Sequence, residues 1–345
     1  MLYRFEFRTY ERNFKRPLQT SHGFWSVRKG IIIRLANEAG QLSFGEIAPI
    51  SWLGSESLEA AFDFCRQLPE FIPEETLISI PHELPACQFA FESAWEQSQQ
   101  FSPNFHPPFS EHLTEIEGEK ESSFWQNRYS GLLPSGEAAL QAWRILWNQG
   151  YRTFKWKIGL AKIQEELNIF DQLTNDIIQM QTSALLRLDA NGGLSYPDTC
   201  EWLQACDNIG VIEELPLEIE FLEQPLPPTE FQTMLKLRDR YSTPIALDES
   251  VVTLHQMREC YQQGWRGIFV IKPCIAGSPS QLRNFCQNYD IDAVFSSVME
   301  TKIGRAIALK LGSQLSRRQR AMGFGVNHWF EDDEERWLEQ LWQEI

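Results

Sequence analysis

The sequence predicts an α/β protein in which a (β/α)8 TIM-type barrel follows a smaller N-terminal α+β domain. Its 345 residues exceed what a single hydrophobic core usually supports, which favours two domains. The first third of the chain has strands followed by helices, an order typical of an α+β domain. From about residue 128, short apolar strands alternate with amphipathic helices through eight successive units, as in a barrel.

The N-terminal strands are predicted from the alternation of apolar and charged residues. Tyr3, Phe5 and Phe7 alternate with arginine and glutamate, which is the two-residue period of a strand with one buried face. We expect a charged loop over residues 15–30, followed by a hairpin that turns near residues 37–40. This part of the sheet should therefore be antiparallel.

Two helices should complete the N-terminal domain. Apolar residues follow helical spacing over residues 58–68 and again over residues 86–99. The composition then shifts over residues 101–123 to Pro, His, Ser and a run of glutamates, and we expect a solvated linker there without a chemical role. We therefore place the first domain at residues 1–125.

The barrel units share one pattern, a short apolar strand that leads into a helix. We place the barrel at residues 126–325, with its strands in SGLLPSG, TFKWKIG, ALLRLDANGG, EFLEQPLPP, TPIALDES, GIFVIKP, DAVFSSVMET and AMGFG. The tail, residues 326–345, contains an acidic amphipathic helix with an apolar face formed by Trp337, Leu338, Leu341 and Trp342. We expect this helix to pack outside the barrel or back against the first domain.

The second barrel strand, TFKWKIG, has two chemically different faces. Because successive side chains point to opposite sides, Phe154 and Trp156 share one face, and Lys155 and Lys157 share the other. An isolated strand of this kind is expected to be half-buried with solvated lysines. In a barrel, the apolar face meets the surrounding helices and the lysines point inward. A nearby lysine or metal ion should then lower their pKa and provide a general base.

Acidic residues end the next three strands: Asp189, Glu223 and Asp248. Reactive groups of such barrels lie where strands end, and three converging carboxylates repel one another unless a cation neutralises them. Oxygen ligands without histidine or cysteine favour Mg²⁺ or Mn²⁺. Each acid alone has a simpler explanation as a helix cap or surface ion pair. Lys272 ends the sixth strand and should approach a bound substrate from the side opposite Lys157.

Composition limits the class of partner. A net charge of −16 disfavours binding to nucleic acid or to an anionic membrane, but local lysines or a metal ion still suit a small-molecule carboxylate substrate. No stretch has the roughly 20 apolar residues of a membrane helix, and the charged N-terminus is unlike a signal peptide, so we expect a cytoplasmic protein. Seven cysteines without a C-x-x-C pair argue against a disulfide framework and a zinc site. The sequence predicts no particular oligomeric state.

Five ordered motifs resemble one family. K-x-K on the second strand, D-A-N on the third, E-Q-P on the fourth, D-E-S on the fifth and I-K-P on the sixth are similar to the muconate lactonizing subgroup of the enolase superfamily. The resemblance spans nearly the whole chain and implies a modified barrel with an N-terminal capping domain. It also implies a magnesium-dependent enzyme in which Asp189, Glu223 and Asp248 bind the metal.

The same resemblance implies roles for the lysines. Lys157 would abstract the α-proton of the substrate, giving an enediolate, and would return the proton to a departing hydroxyl in a syn dehydration. Lys155 would assist the charge of the substrate carboxylate. Lys272 would lie over the opposite face as an electrostatic stabiliser.

Further residues are expected to contact the substrate or support the site. They come from four places: the two positions that flank Asp189 on the same face of its strand, the turn before the last barrel helix, a loop that closes over the mouth of the barrel, and the last strand. These residues are Arg187, Asn191, Ser296, Ser297, Thr20, Ser21, His22 and Gly323. For the turn and the loop, ordinary turn and cap chemistry is the alternative explanation.

Two other functions stay open at this point. An N-acylamino acid racemase or a dipeptide epimerase also needs two lysines on opposite faces of its substrate. Dipeptide epimerases carry an Asp-x-Asp after the eighth strand, and GFGVNHW offers no such acid. A catalytically silent binding barrel would have lost metal or proton-transfer residues, yet all six are present.

Overall fold

The computed structural model describes residues 1–20, 23–99, 128–211, 215–325, 330 and 334–343. Its N-terminal strands are β1 (Leu2–Thr20), β2 (Gly23–Ala36), β3 (Leu42–Ile47) and β4 (Phe71–Pro73). They form an antiparallel sheet with the order β3-β2-β1-β4. The helices of this part are α1 (Leu58–Gln67), α2 (Glu74–Ile78) and α3 (Pro85–Gln99). Both predicted helices are therefore confirmed, together with the antiparallel beginning.

The hairpin of β1 and β2 is longer than the sequence suggests. The two strands pair from Arg4↔Ala36 to Thr20↔Gly23, with a register irregularity between Asn13 and Leu18. The expected charged loop over residues 15–30 was wrong, because its described residues belong to these strands. A two-stranded ribbon can expose both faces, so its sequence need not alternate apolar with polar residues. The predicted turn near residues 37–40 is confirmed.

The barrel is built on a parallel sheet. Its strands are β5 (Ser130–Leu133), β6 (Thr153–Lys157), β7 (Ala184–Asp189), β8 (Leu217–Glu223), β9 (Ile245–Leu247), β10 (Ile268–Ile271) and β11 (Asp292–Phe295). The strands follow one another in chain order across the sheet. The helices between and after them are α4 (Ala139–Asn148), α5 (Ile163–Ile178), α6 (Tyr196–Gly210), α7 (Phe231–Arg240), α8 (Leu254–Gln262), α9 (Pro273–Ala276), α10 (Pro279–Asn288) and α11 (Lys302–Leu315).

The eighth predicted strand is reduced to isolated bridges that close the barrel. Met322 pairs with Tyr129, which precedes β5, and Gly323 pairs with Ser296, which follows β11. The segment after α11 thus joins the two edges of the seven-stranded sheet. The predicted fold class, a modified barrel with an N-terminal α+β capping domain, is confirmed. The predicted boundary at residues 125–126 and the acidic stretch 101–123 lie outside the described residues.

The two faces of β6 are buried in different surroundings. Phe154 stacks on Trp147 of α4, and Trp156 meets Trp202 of α6, so the apolar face packs against the surrounding helices. A separate apolar cluster fills the barrel interior: Phe221, Ala246, Ile268, Val270 and Val294. The inward orientation predicted for the lysine face of β6 follows from this packing.

The C-terminal helix α12 (Glu334–Gln343) packs against β1. Leu338 is buried with Tyr10, Ile32 and Phe44 of the antiparallel sheet. The helix is also held by stacking, because the Arg34 guanidinium lies 4.1 Å from the centre of the Trp342 ring. None of the described helices is long and apolar enough to cross a membrane.

Candidate active site

Strand register brings the predicted acidic and basic residues to one end of the barrel. Lys157 of β6 lies beside Asp189 of β7, and Asp189 lies beside Glu223 of β8. Asp248 directly follows β9, and Lys272 directly follows β10. Because all these strands are parallel, the five residues share the carboxyl end of the sheet, where barrel active sites are found.

A cavity of about 490 Å³ lies at this end. The barrel contributes five of the six predicted lysines and acids to its wall: Lys155, Lys157, Asp189, Asp248 and Lys272. The β1–β2 hairpin contributes the other side, with Arg16, Pro17, Leu18 and Trp25. The cavity is therefore enclosed by both the barrel and the capping domain.

Two of the lysines are engaged by carboxylates. The Lys155 Nζ atom lies 2.8 Å from Asp189 Oδ2 and 2.8 Å from Glu223 Oε1. Lys272 forms an ion pair with Asp248. Lys157, by contrast, has no carboxylate partner in the described part of the chain, and its side chain faces the cavity. These contacts distinguish Lys157 from the other two lysines.

The surroundings shift the pKa values of the paired lysines in opposite directions. Burial lowers the pKa of Lys155, but the charges of Asp189 and Glu223 outweigh it, so the net pKa lies above the ordinary value. The expectation of a lowered pKa was therefore wrong for Lys155. Burial lowers the pKa of Lys272 to about 8, although the charge of Glu223 opposes the shift. Lys155 therefore holds its proton more tightly than Lys272 does.

The acidic residues are of the kind that binds a hard divalent cation. Burial and repulsion by Asp189 raise the pKa of Glu223, and burial with the charges of Asp189 and Glu223 raises the pKa of Glu249 to about 7. The Oε2 atom of Glu249 is buried and has no hydrogen-bond partner among the described residues. A divalent cation would relieve this crowding of oxygen donors, so the donor chemistry fits Mg²⁺.

The side chains are not arranged as a metal cage. Within the described ranges, no three His, Cys, Asp or Glu residues are grouped so that they could hold a metal ion. The carboxylate oxygens of Asp189 and Glu223 instead contact Lys155, and Asp248 contacts Lys272. Metal binding by Asp189, Glu223 and Asp248 stays a proposal that rests on donor type and strand register.

Gln224 fixes the chain at Asp248. Its Oε1 atom accepts hydrogen bonds from the backbone N–H of Asp248 at 2.9 Å and of Ser250 at 3.2 Å. Its Nε2 atom donates to Ser250 Oγ at 2.8 Å and to the Leu226 carbonyl at 2.8 Å. Because Gln224 is fully buried, this network fixes the backbone position from which the Asp248 side chain extends.

Several predicted contact residues line the cavity: Asn191, Ser296, Ser297 and Gly323. The Asn191 side chain donates to Glu249 Oε1 at 3.1 Å. The backbone N–H groups of Ser296 and Ser297, which were expected to bind an anion, instead donate to the carbonyls of Ile271 and Gly323. The following helix begins only at Lys302.

The remaining predicted contacts differ from expectation or lie outside the described residues. Arg187 does not line the cavity but donates from Nε to Glu220 Oε2 at 2.6 Å in a buried pair. Ser21, His22 and the side chain of Thr20 are outside the described part of the chain. The loop closure expected from them therefore stays untested.

Sequence reasoning missed several residues of the site, which fall into two groups. Arg16 and Trp25 flank the loop that was expected to close over the mouth of the barrel, but the charged pattern of this segment does not indicate that these two residues line the cavity. Leu132 lies within the predicted strand segment SGLLPSG and Glu249 within the D-E-S motif, but only their surroundings show that they belong to the site. A side chain's direction at a strand end is set by neighbours, not by its own sequence position.

Comparison with known proteins agrees with this geometry. Residues 137–340 match the family model described as enolase C-terminal domain-like. An o-succinylbenzoate synthase from Thermosynechococcus vestitus is 36% identical over 328 residues, which cover 94% of this chain and 93% of that protein. The L-Ala-D/L-Glu epimerase of Bacillus subtilis is 25% identical over 310 residues, covering 84% of this chain and 78% of that protein.

A solved structure matches almost the whole fold. The crystal structure of o-succinylbenzoate synthase from Thermosynechococcus elongatus BP-1, complexed with Mg in the active site, has a TM-score of 0.82 at 36% identity. The match covers 99% of this chain and 100% of that chain.

Proposed function

The chain belongs to the enolase superfamily, and from that premise we propose that it is a hydro-lyase, an o-succinylbenzoate synthase. The reaction is the dehydration of 2-succinyl-6-hydroxy-2,4-cyclohexadiene-1-carboxylate to o-succinylbenzoate. The observation that carries the proposal is the placement of Lys157 and Lys272. They line one cavity from β6 and from the end of β10, separated by three intervening strands that end in acids.

We propose Mg²⁺ as the metal, with Mn²⁺ as an alternative hard cation. Asp189, Glu223 and Asp248 would hold it, and Glu249 lies close enough to Asp189 and Glu223 for their charges to raise its pKa. When bound, the metal supplies positive charge to the substrate carboxylate as the α-proton leaves. Lys155, paired with Asp189 and Glu223, keeps two of these carboxylates in place.

Lys157 performs the proton transfers. In its amine form it takes the α-proton of the substrate, which breaks the C–H bond and leaves the electron pair on the ring and carboxylate. The ammonium group then gives the proton to the hydroxyl on the same face. The C–O bond breaks, water leaves and the ring becomes aromatic, with no external oxidant or reductant. One residue serves both steps because the eliminated groups share a face.

Lys272 and the hairpin support this chemistry. The buried Lys272 side chain presents its charge at the end of β10, where it stabilises negative charge that develops on the substrate. Leu18 and Trp25 cover the other side of the cavity with apolar groups. Their exclusion of water strengthens the electrostatic contacts inside.

The first prediction concerns Lys157. Lys157→Ala should lower kcat by at least about 10³-fold, since general base and general acid steps both disappear. The loss of cyclohexadiene absorbance and the gain of aromatic absorbance measure turnover, while circular dichroism and Mg²⁺ titration report on fold and metal affinity, which should persist.

Lys162→Ala is the matched control. Lys162 is an exposed lysine just beyond the same strand, and its removal should leave turnover unchanged. Full activity in Lys157→Ala would refute the assignment of Lys157 as base. Absence of any absorbance change with the unsubstituted protein and Mg²⁺ would refute the proposed reaction.

A racemase or epimerase is the second candidate, because two lysines on opposite sides of a cavity also suit removal and return of a proton on different faces. Incubation of N-succinylamino acids or dipeptides in deuterium oxide distinguishes the two. Exchange at the α-carbon of these compounds, together with no aromatic product from the cyclohexadiene substrate, would favour the racemase.

We also propose that the product enters menaquinone or phylloquinone biosynthesis and that the enzyme acts in the cytoplasm. An aromatic ring that carries adjacent carboxyl and succinyl groups is a precursor suited to closure of a second ring. Expression in a bacterium that lacks its own synthase should restore menaquinone, detectable by mass spectrometry, whereas continued absence would argue against this placement.

A further inference from the structure

A capping-domain carboxylate caps a barrel helix next to the cavity. Glu46 lies on β3 and is fully buried. It accepts hydrogen bonds from the backbone N–H of Thr301 at 2.9 Å, the Thr301 hydroxyl at 2.6 Å and the backbone N–H of Gly304 at 2.9 Å. Tyr10 of β1 donates its hydroxyl to the same carboxylate at 2.5 Å. The first turn of α11 is thus bound by two strands of the other domain.

The contact is tight and charge-assisted. A side-chain carbon at Gly304 would lie 2.8 Å from Glu46 Oε2, so the close approach requires glycine at this position. Thr301 is also fully buried. An anion at a helix N-terminus satisfies backbone N–H groups that have no partner within the helix, and charge-assisted bonds are the stronger kind.

The same contact reaches the cavity within a few residues. Glu300, next to Thr301, accepts from Ser297 Oγ at 2.9 Å and from the Val298 N–H at 2.6 Å. Met299 between them has φ of +61°, an unusual value for a residue other than glycine, and its N–H donates to Ser297 Oγ at 2.9 Å. Ser297 and Met299 both line the cavity.

We propose that Glu46 is a positioning residue for the cavity wall formed by residues 296–299, an inference that rests on the proposed dehydration. It does not touch the substrate. It holds Thr301 in place by hydrogen bonds. The adjacent Glu300 in turn accepts hydrogen bonds from Ser297 and Val298, and these bonds fix the cavity wall. A strained turn needs such support, because its conformation persists only when its surroundings determine it. The contact between the capping domain and α11 therefore sets the shape of the cavity wall against which the non-reacting part of the substrate binds.

The molecule contains a matched control. Glu92 of α3 is also a buried capping-domain carboxylate that caps a barrel helix. It accepts from the Ser280 N–H at 2.7 Å and from the Ser278 hydroxyl at the start of α10. Neither Ser278 nor Ser280 lines the cavity. Glu92 thus shares the docking role of Glu46 without its connection to the cavity wall.

The test compares Glu46→Gln with Glu92→Gln. Glutamine keeps the size but has a single acceptor oxygen, and its amide would face an N–H donor. Both variants should melt at lower temperature. Glu46→Gln should raise KM about tenfold, as expected from loss of one charge-assisted hydrogen bond, with kcat within about threefold of the unsubstituted enzyme. Glu92→Gln should leave KM within about twofold.

A purely structural role for Glu46 would lower the melting temperature of both variants equally and leave both KM values unchanged, and that result would overturn the inference. If Glu46→Gln does not fold, Tyr10→Phe removes one donor to Glu46 and should still raise KM by about threefold, whereas an unchanged KM in that variant would overturn it. Absence of turnover in the unsubstituted enzyme would instead overturn the proposed function. Titration calorimetry with o-succinylbenzoate adds a readout that does not depend on turnover, because the positioning role requires weaker binding by Glu46→Gln than by Glu92→Gln.

Discussion

At the scale of single residues, the cavity wall depends on a close backbone approach between Gly323 and Ser296. The Gly323 N–H donates to the Phe295 carbonyl at 2.8 Å, and its carbonyl accepts from the Ser297 N–H at 3.1 Å. A side-chain carbon at Gly323 would lie 2.7 Å from Ser296 Oγ and 3.4 Å from Ser296 Cα. An added side chain at Gly323 would therefore crowd Ser296 where the closing segment meets the end of β11.

Gly323→Ala should disturb the site directly. The added methyl group forces Ser296 to rotate or the segment to move, at a cost of about 1–3 kcal/mol in the free energy of unfolding. Because both residues line the cavity, kcat/KM should fall about tenfold, a change equivalent to about 1.4 kcal/mol. Urea denaturation and steady-state kinetics measure the two effects.

The control is Gly210→Ala at the end of α6, where no atom of the described residues lies within 4 Å of the added carbon. Alanine there should keep activity and raise stability by up to about 1 kcal/mol, in line with helix propensity. If both variants had the same free energy of unfolding and the same kcat/KM, packing around Gly323 would not require a residue without a side chain.

Residue-level prediction worked where strand alternation and strand ends determine orientation. Lys155 and Lys157 could be assigned to the inner face because apolar neighbours occupy the other one, and Asp189 follows from the same register. The sequence could not predict that Lys155 bridges two carboxylates, because that depends on side-chain packing. Its raised pKa, opposite to expectation, is the electrostatic result of those contacts.

At the scale of elements, the C-terminal helix α12 packs against one face of the antiparallel sheet. Trp337 packs edge-on against Tyr10, with ring centres 5.4 Å apart, and Leu338 is buried beside the same residue. Tyr10 in turn donates to Glu46. The helix therefore buttresses the strand that anchors the barrel helix α11, which links the end of the chain to the cavity wall.

Leu338→Ala tests this buttress. Removal of the buried side chain should cost about 2–5 kcal/mol in the free energy of unfolding, because it leaves a cavity among Tyr10, Ile32 and Phe44. Denaturant titration followed by tryptophan fluorescence provides the measurement. Glu339→Ala, an exposed neighbour on the same helix, should change stability by less than about 0.5 kcal/mol. A Leu338→Ala variant as stable as Glu339→Ala would show that α12 is dispensable.

Element boundaries were predictable where capping chemistry marks them. Helix α11 begins at Lys302, directly after the predicted strand segment DAVFSSVMET, and the hydroxyl of its N-cap Thr301 accepts from the Ile303 N–H. Helix α8 follows the predicted strand segment TPIALDES and has Thr253 as N-cap, in a capping box with Gln256. The hairpin over residues 15–30 was missed because its stability comes from pairing between strands, which leaves no apolar periodicity in either strand alone.

At the scale of the whole molecule, a side-chain network supports the barrel where backbone pairing is sparse. Arg320 donates to Asp292 at 2.7 and 2.8 Å and to Glu220 at 2.6 Å, and Arg187 donates to Glu220 at 2.6 Å. These residues connect β7, β8 and β11 with the closing segment. Asp292 begins β11, whereas Ser296, which follows the end of β11, lines the cavity. The network therefore belongs to the end of the barrel away from the chemistry.

Arg320→Ala should separate barrel stability from catalysis. Removing a largely buried cation leaves Glu220 with Arg187 alone and Asp292 with the exposed Arg318, and breaking a buried ion pair in this way costs about 3–5 kcal/mol. Arg318 contacts the same Asp292 at 3.4 Å but is 64% exposed, so Arg318→Ala should cost no more than about 1 kcal/mol. Urea denaturation compares the two, and kinetics well below the melting temperature should give KM values within about twofold of the unsubstituted enzyme for both. Equal stabilities would show that the bridges at Met322 and Gly323 close the barrel without this network. A raised KM in Arg320→Ala alone would show that closure of the barrel also shapes the cavity.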